Sequence, residues 1–417
     1  MEKLLVISSY PEKNLTHGKA TVGVASYAKN TLNAIKDIAG KKTDIIVLAE
    51  KLQNDKNHTQ NGVKVKRIWK RGTFNIFPVL LKTILTHHKD TKHVLVELEL
   101  AMFGSLLYLL PLPAFLLILR LFGKNVIVVC HQVIPNITQI GPHININGES
   151  LKTTFINIAI RGFYFALLLL SSKIIVFEDA LKTKLSKFGS PKKIKVISHG
   201  VETFTNIPTK SAARKRLGIR KDEFVAVSFG YIAWYKGSDW IVNAISEINN
   251  KSRGRKVSLI LAGGENPNHL DKKYYIKYLR TLTQKASENN IRITGYVPQK
   301  DIAYYYQAAD VILFPYKTFM SASGPLSLAL SFSKPFLISP RLKPALSTKD
   351  IQNGLRIRKL SEDEISFKDF NGDFSKKIKR INKDIRLRKK LSLLSSDIQK
   401  ERRWSTIGGK YYEEIFN

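Results

Sequence analysis

A lysine and a glycine set between a strand and a helix can hold a phosphate, and Lys236-Gly237 is such a pair. The segment VSFGYIAWYKGSDWIVNAI, residues 227–245, reads as a strand ending at Gly230, a loop, and a helix with Trp240, Ile241, Ala244 and Ile245 on its apolar side. Amide groups, helix dipole and ammonium all favour negative charge at such a helix start, which makes Lys236 the candidate for binding and stabilising a diphosphate. A second glycine-bearing turn, in GKATVGVASYAKNTLNAI (residues 18–35), puts Gly23 where backbone can approach a phosphate or sugar closely. His131 follows the apolar run NVIVVC, and a histidine at a strand's carboxyl end can bond a hydroxyl or steady developing charge. Glu99, in VELELAMFG, ends another strand and is either an acceptor contact or a cap for the next helix. Ser323-Gly324-Pro325-Leu326 offers backbone amides ahead of a further helix. No spacing of His, Cys, Asp and Glu reads as a metal site.

These groups can act together only if regular elements deliver them to one place. Short apolar, β-branched runs recur at 4–7, 45–48, 63–68, 94–98, 126–129, 174–177 and 194–197, mostly separated by stretches with helical spacing. That is the pattern of parallel strands joined by crossover helices. A polar, basic segment after Thr203 interrupts it, and the alternation restarts at 224–229, 257–262, 291–294, 311–314 and 335–338. The sequence therefore predicts an α/β chain of two Rossmann-like doubly wound domains, residues 1–203 and 204–399, with ligand in the cleft between facing strand ends. Residues 374–417 read as helical.

The chain has 68 Lys+Arg against 33 Asp+Glu, a net charge of +35. Such an excess implies a polyanionic neighbour: nucleic acid, anionic lipid or a phosphate-bearing substrate. No helix-turn-helix, zinc finger or RNA-reading aromatic pair is present, which disfavours nucleic acid. One cysteine, Cys130, rules out an internal disulfide and fits a reducing, cytoplasmic setting. The apolar run in the opening MEKLLVISSY is too short for a signal sequence. The most apolar stretches, 105–119 and 155–170, are broken by Pro111 and Pro113 and by Arg161 and Gly162, whereas a span needs about 20 apolar residues. They read as a buried or interfacial helix and a core helix. Residues 64–77, KVKRIWKRGTFNIF, interleave Lys66, Arg67, Lys70 and Arg71 with Trp69, Phe74 and Phe77. Cations beside aromatics suit an anionic membrane interface, at ~1 kcal/mol per basic residue, so peripheral attachment to the inner face of a membrane is expected.

Along residues 227–339 the sequence resembles glycosyltransferase family 4, retaining enzymes of the two-domain GT-B fold that use nucleotide sugars. Gly230, Lys236 and Gly237 match the family's V-G-R-L-x-x-x-K-G segment, with Tyr231 where the family has a diphosphate-binding arginine. LILAGGENPN, ITGYVPQKDIAYYYQAADVILFPY and SGPLSLALSFSKPFLIS follow in the family's order. The resemblance implies that the Gly295-Tyr296-Val297 turn lies beside the nucleotide base. It also implies that the loop after Pro315 leads to the donor sugar and ribose. The two glutamates of the family's E-x7-E element fall on Met320 and Leu328, so both carboxylates are absent, and Ser323 to Leu326 stand in that loop.

In the first domain His131 resembles a histidine often found there, Glu99 an acidic residue of some members, and His199 the Asn or His before Gly-Val at the domain junction. The final tryptophan-bearing helix, residues 400–417 with Trp404, would pack back on the first domain. Function follows from the resemblance as an expectation: transfer of a hexose, with retention, from a nucleotide-diphosphate sugar to a glycan or lipid-linked acceptor. No cofactor or metal is expected, the first domain would face the acceptor and the second the donor, and cell-surface polysaccharide or glycolipid would be the product. The missing carboxylates leave open a GT-B protein that binds nucleotide sugar without turnover.

Overall fold

In the computed structural model these apolar runs become the strands of two parallel sheets, and residues 2–16, 21, 23–53, 56–100, 102–143, 150–252, 256–370 and 372–417 are described. Residues 17–20 and Val22 of the first glycine-bearing loop lie outside the described residues. The first domain runs β1 (Glu2–Ile7), α1 (Val24–Ala39), β2 (Thr43–Glu50), β3 (His58–Gln60), β4 (Val63–Trp69), α2 (Ile76–His87) and β5 (His93–Leu98). It continues with α3 (Leu112–Leu121), β6 (Asn125–Cys130), α4 (Leu151–Leu170), β7 (Lys173–Val176), α5 (Asp179–Leu185) and β8 (Ile194–Val196). Its eight-stranded sheet has the order β3-β4-β2-β1-β5-β6-β7-β8 and is parallel except for the short edge strand β3, which the sequence pattern did not reveal.

The second domain begins with α6 (Lys210–Leu217), β9 (Phe224–Phe229), α7 (Ser238–Asn250), β10 (Val257–Ala262), α8 (Lys273–Glu288), β11 (Arg292–Ile293) and α9 (Ile302–Ala308). It ends with β12 (Val311–Phe314), α10 (Gly324–Ser331), β13 (Phe336–Ile338), α11 (Lys349–Arg358), α12 (Glu362–Ile365), α13 (Asp373–Lys383) and α14 (Ile385–Glu401), and α15 (Trp404–Phe416) follows. Its five-stranded sheet, order β11-β10-β9-β12-β13, is wholly parallel. Strands covered by helices on both faces must be apolar throughout, and Val225 to Val227 and Val311 to Phe314 are accordingly buried without alternation.

Strand order reverses at β1, between β2 and β5, and again at β9, between β10 and β12. Crevices for ligands open at the carboxyl ends of strands at such switch points. Gly230 follows β9, while Glu99 and His131 follow β5 and β6, neighbours on the far side of β1. The topology thus carries the candidate residues to facing strand ends.

The chain crosses between domains twice, near Val201 and near Arg403, and the two crossings pair: Val201 N–H donates to Arg402 O at 2.8 Å. Beyond the second crossing α15 packs on α1, with the Tyr27 and Tyr411 hydroxyls 2.7 Å apart. A Cβ on Gly408 would stand 2.6 Å from Ala34 Cβ, so only glycine lets these helices approach so closely. Trp404 lies against Gly200.

Two expectations need correction. The apolar stretch 155–170 belongs to a longer helix, α4, that is not in the core: Leu151, Phe155, Ile158, Phe165 and Leu169 are exposed, and only its inner side, including Thr153, Tyr164, Leu167 and Leu168, is buried. Nor is 64–77 an open basic-aromatic face. Val63, Val65, Arg67 and Trp69 of β4 point inward with the period of a strand, Arg67 bonds Tyr10 O and Pro11 O, and Trp69 bonds Leu48 O. Phe77 is buried against Phe103 and Phe115, Arg71 bonds Met102 O, and Lys66 lies beside His88. Only Lys70 and Phe74 of that group are open to solvent.

Candidate active site

The strand ends of the second domain are drawn together by glycines. Gly230 has φ 106°, and a Cβ there would stand 2.6 Å from Lys236 Nζ and 3.3 Å from Pro325 Cγ. A Cβ on Gly237, where φ is 70°, would stand 1.9 Å from Pro315 O, and one on Gly263 would stand 2.0 Å from Gly230 O. One on Gly264 would stand 2.6 Å from Tyr296 N. The loops after β9, β10, β11 and β12 therefore converge, with Lys236 Nζ among them. Sequence reasoning quoted AGG at 262–264 but did not name Gly263 and Gly264 as site residues; paired glycines at a strand end were the signal.

Lys236 ends a 3₁₀ turn, Trp234–Lys236, and Gly237 separates it from α7. Among the described residues no carboxylate or hydrogen-bond acceptor pairs with its ammonium, and burial alone lowers its pKa to about 8. The first turn of α7 has no side-chain cap. The carboxylate nearest to serving as one, Asp239, is held by Lys317 at 2.6 Å and by the Tyr278 hydroxyl at 3.1 Å. An unneutralised, half-buried cation beside uncapped helix amides is an anion site.

The Ser323 to Leu326 loop contributes fewer amides than its sequence suggests. Ser323 Oγ accepts from Leu326 N–H at 3.3 Å and Pro325 has no N–H, which leaves Gly324 as the first-turn donor of α10. The Tyr316 and Ser323 hydroxyls lie 2.9 Å apart, while the Leu326 side chain is buried in the core.

Tyr231 and Tyr296 stack with centroids 6.3 Å apart and planes at 27°. They line an interdomain cavity of about 160 Å³ with Val297, Gly230 and, from the first domain, Gly23 and Ser26. A cavity of roughly 150 Å³ takes a ring the size of benzene, so this space suits an aromatic base. Gly295, with φ 73°, makes the turn that presents Tyr296. Leu328 also lines the cavity, whereas Met320 is buried in an apolar cluster with Ile134, Ile137 and Ile140. A larger surface cavity of about 620 Å³, beside Trp240, Arg341 and Phe370, touches none of the candidate residues.

Across the cleft His131 Nε2–H donates to Glu97 Oε2 at 2.7 Å, and the ring lies edge-on to Tyr27 and Phe177. Glu97 is fully buried, and among the described residues its Oε1 has no partner. Sequence reasoning chose Glu99 and missed Glu97: β5 ends at Leu98, so the two glutamates do not share the alternation of one strand. The loop at Met320 and Ser321 lies across the end of β6, where Val133 N–H donates to Met320 O at 3.1 Å.

Glu99 accepts the Val24 N–H at the start of α1; burial raises its pKa, opposed by His131, Arg71 and that amide. It is a helix cap, but of α1 rather than of the following helix, and it occupies the Val24 amide next to Gly23. His199 Nδ1 donates to Gly200 O at 2.8 Å and lies 2.9 Å from Ser327 Oγ on α10. Burial holds it neutral, with a pKa of about 4. It ties the hinge to α10.

Residues 223–368 match the family described as glycosyl transferases group 1. The chain is 27% identical over 130 residues to the D-inositol 3-phosphate glycosyltransferase of Corynebacterium aurimucosum, covering 30% of each chain. It is 33% identical over 102 residues to the alpha-monoglucosyldiacylglycerol synthase of Acholeplasma laidlawii, covering 24% of this chain and 23% of that one. The matches thus span less than a third of these curated relatives. Over its whole length the fold is similar to sucrose-phosphate synthase from Thermosynechococcus elongatus, with TM-score 0.74, 16% identity, and coverage of 100% and 99%. It is also similar to Anabaena HepE in complex with UDP and glucose, with TM-score 0.63, 15% identity and the same coverage. The chain has the GT-B fold, and its second domain carries the sequence pattern of group 1 glycosyl transferases.

Proposed function

We propose that the protein is a glycosyltransferase of family 4 type that moves a hexose, with retention, from a nucleoside-diphosphate sugar to a glycan or lipid-linked acceptor. The observation that carries this reading is the Lys236 ammonium, unpaired among the described residues, ahead of α7 and packed against Gly230, which lines the interdomain cavity. The diphosphate lies along Lys236, the α7 amides and the Gly324 amide, and the base lies between the Tyr231–Tyr296 pair and the first domain. As the anomeric C–O bond breaks, charge builds on the departing diphosphate, where these groups stabilise it with no metal required. The acceptor oxygen attacks the anomeric carbon and its proton passes to the leaving phosphate oxygen. His131, oriented by Glu97, bonds the sugar.

UDP in the HepE neighbour and the lipid product named for the A. laidlawii relative support a nucleotide donor and a lipid-linked acceptor. The site works in the cytoplasm at the inner face of an anionic membrane, in cell-surface polysaccharide or glycolipid synthesis. The decisive test is sugar-nucleotide consumption by the protein and by Lys236→Ala, with loss of about 100-fold or more expected in the variant. Near-normal turnover by Lys236→Ala would refute the assignment. Met320 and Leu328 at the glutamate positions favour one second reading, a nucleotide-sugar binder without turnover; binding without consumption would establish it.

A further inference from the structure

We infer that the outer face of α3 and α4 is the surface by which the protein lies on an anionic bilayer. This inference rests on the membrane part of the reading above and not on the transfer chemistry. Along α4 the exposed apolar residues Leu151, Phe155, Ile158, Phe165 and Leu169, at 82%, 71%, 59%, 56% and 63% exposure, are spaced by four, three, seven and four positions, which keeps them on one side of the helix. Helix α3 packs beside α4 and exposes Leu117 and Leu121, with Leu110 before it and Phe122 after it. Two adjacent helices thus present an apolar surface that no other described element covers, far more than isolated exposed residues would give.

Charge identifies the occupant. Helices α2, α3 and α4 contain no aspartate or glutamate, while Lys82, Arg120, Lys152 and Arg161 on the same three helices are exposed. An apolar face with cations, on helices that carry no carboxylate, is complementary to lipid tails under anionic headgroups. By length and composition α4 could cross a membrane, but its other side is built into the domain: Tyr164 Oη accepts from Ile134 N–H at 2.9 Å, and Leu167 and Leu168 are buried. It therefore lies in the interface.

The same helix borders the cleft. Ile156 and Ile160 of α4 pack against the cluster of Ile134, Ile137, Ile140 and Met320, and so does Tyr235, the residue before Lys236. A lipid-anchored acceptor resting on this face has a short path to the diphosphate site.

The test is flotation of the full chain with vesicles of phosphatidylcholine alone or mixed with phosphatidylglycerol. The wild type is expected to float with the mixed vesicles and to be released by alkaline carbonate. Phe155→Ser/Ile158→Ser/Phe165→Ser/Leu169→Ser is expected to lose about 100-fold or more in partitioning. Ile357→Ser/Ile385→Ser, which removes exposed apolar side chains of the second domain, should float as the wild type does. Circular dichroism and sugar-nucleotide consumption in solution should be unchanged in both variants, so a failed membrane surface is separable from failed chemistry. The inference is overturned by flotation of the four-site variant at wild-type level, by equal loss in the control, by indifference to phosphatidylglycerol, or by resistance to carbonate. Concentration-dependent dimerisation that the four substitutions abolish would also overturn it, assigning the face to a second copy.

Discussion

Gly237 joins the lysine to its helix, and Gly237→Ala is the sharpest structural perturbation of the site. The substitution meets two obstacles. Its φ of 70° lies in the left-handed region, which costs a residue with a side chain about 1–2 kcal/mol. Its Cβ would also stand 1.9 Å from Pro315 O, a backbone atom that cannot rotate aside, so α7 and the loop after β12 must separate by more than an ångström. Overpacking of that kind adds roughly 1–3 kcal/mol. The sum, roughly 2–5 kcal/mol, lowers Tm by about 5–15 °C for a domain of this size. Calorimetry checks the stability, and titration with nucleoside diphosphate checks the site, because moving α7 moves both its amides and Lys236. Gly324→Ala is the control: no atom lies within 4 Å of its added Cβ and its φ is not positive. A Gly237→Ala protein with unchanged Tm and unchanged nucleotide affinity would refute the packing argument.

Three further outcomes follow from the geometry. Because the pKa of Lys236 is lowered to about 8 in the fold, its burial penalty is fullest below pH 8 and is relieved as pH rises from 8 toward the unfolded value near 10.5. Lys236→Met should therefore raise Tm of the ligand-free protein at pH 7 and change it little at pH 10, while wild-type affinity for a nucleoside diphosphate falls as pH rises above 8; a pH-independent affinity counts against the charge argument. Glu97→Gln weakens the orientation of His131 and should reduce kcat about 10–100-fold with donor Kd nearly unchanged, and a change confined to KM would contradict the positioning role. Tyr296→Ala removes one ring of the stacked pair and should cost about 1–3 kcal/mol of nucleotide affinity by titration calorimetry, whereas equal affinity would place the base elsewhere.

The parallel strands of both sheets were legible in the sequence, because strands buried on both faces leave apolar runs, and Gly230 and Gly237 marked part of the convergence of the second-domain loops, while the edge strand β3 and the roles of Gly263 and Gly264 were not. Other features were not legible, for reasons visible in particular residues. Apolar composition says that 155–170 avoids water but not whether protein or lipid covers it, so the exposure of Phe155 and Leu169 could not be read. In residues 64–77 the mixture of cations and aromatics masks a strand signal that is present: Val63, Val65, Arg67 and Trp69 alternate with the period of a strand, which places Arg67 and Trp69 on the inner face. The partnership of His131 with Glu97 depends on the register between β5 and β6, a long-range relation. The capping of α1 by Glu99 likewise joins residues far apart in the chain.

The central claim is that an unpaired Lys236 holds the diphosphate of a sugar nucleotide that the protein consumes. The most direct measurement is nucleoside diphosphate release from UDP-, GDP- and ADP-sugars by the wild type and by Lys236→Ala. The account predicts release from at least one donor, reduced about 100-fold or more in the variant. Equal release by both proteins, or no release and no nucleotide binding by the wild type, would contradict it.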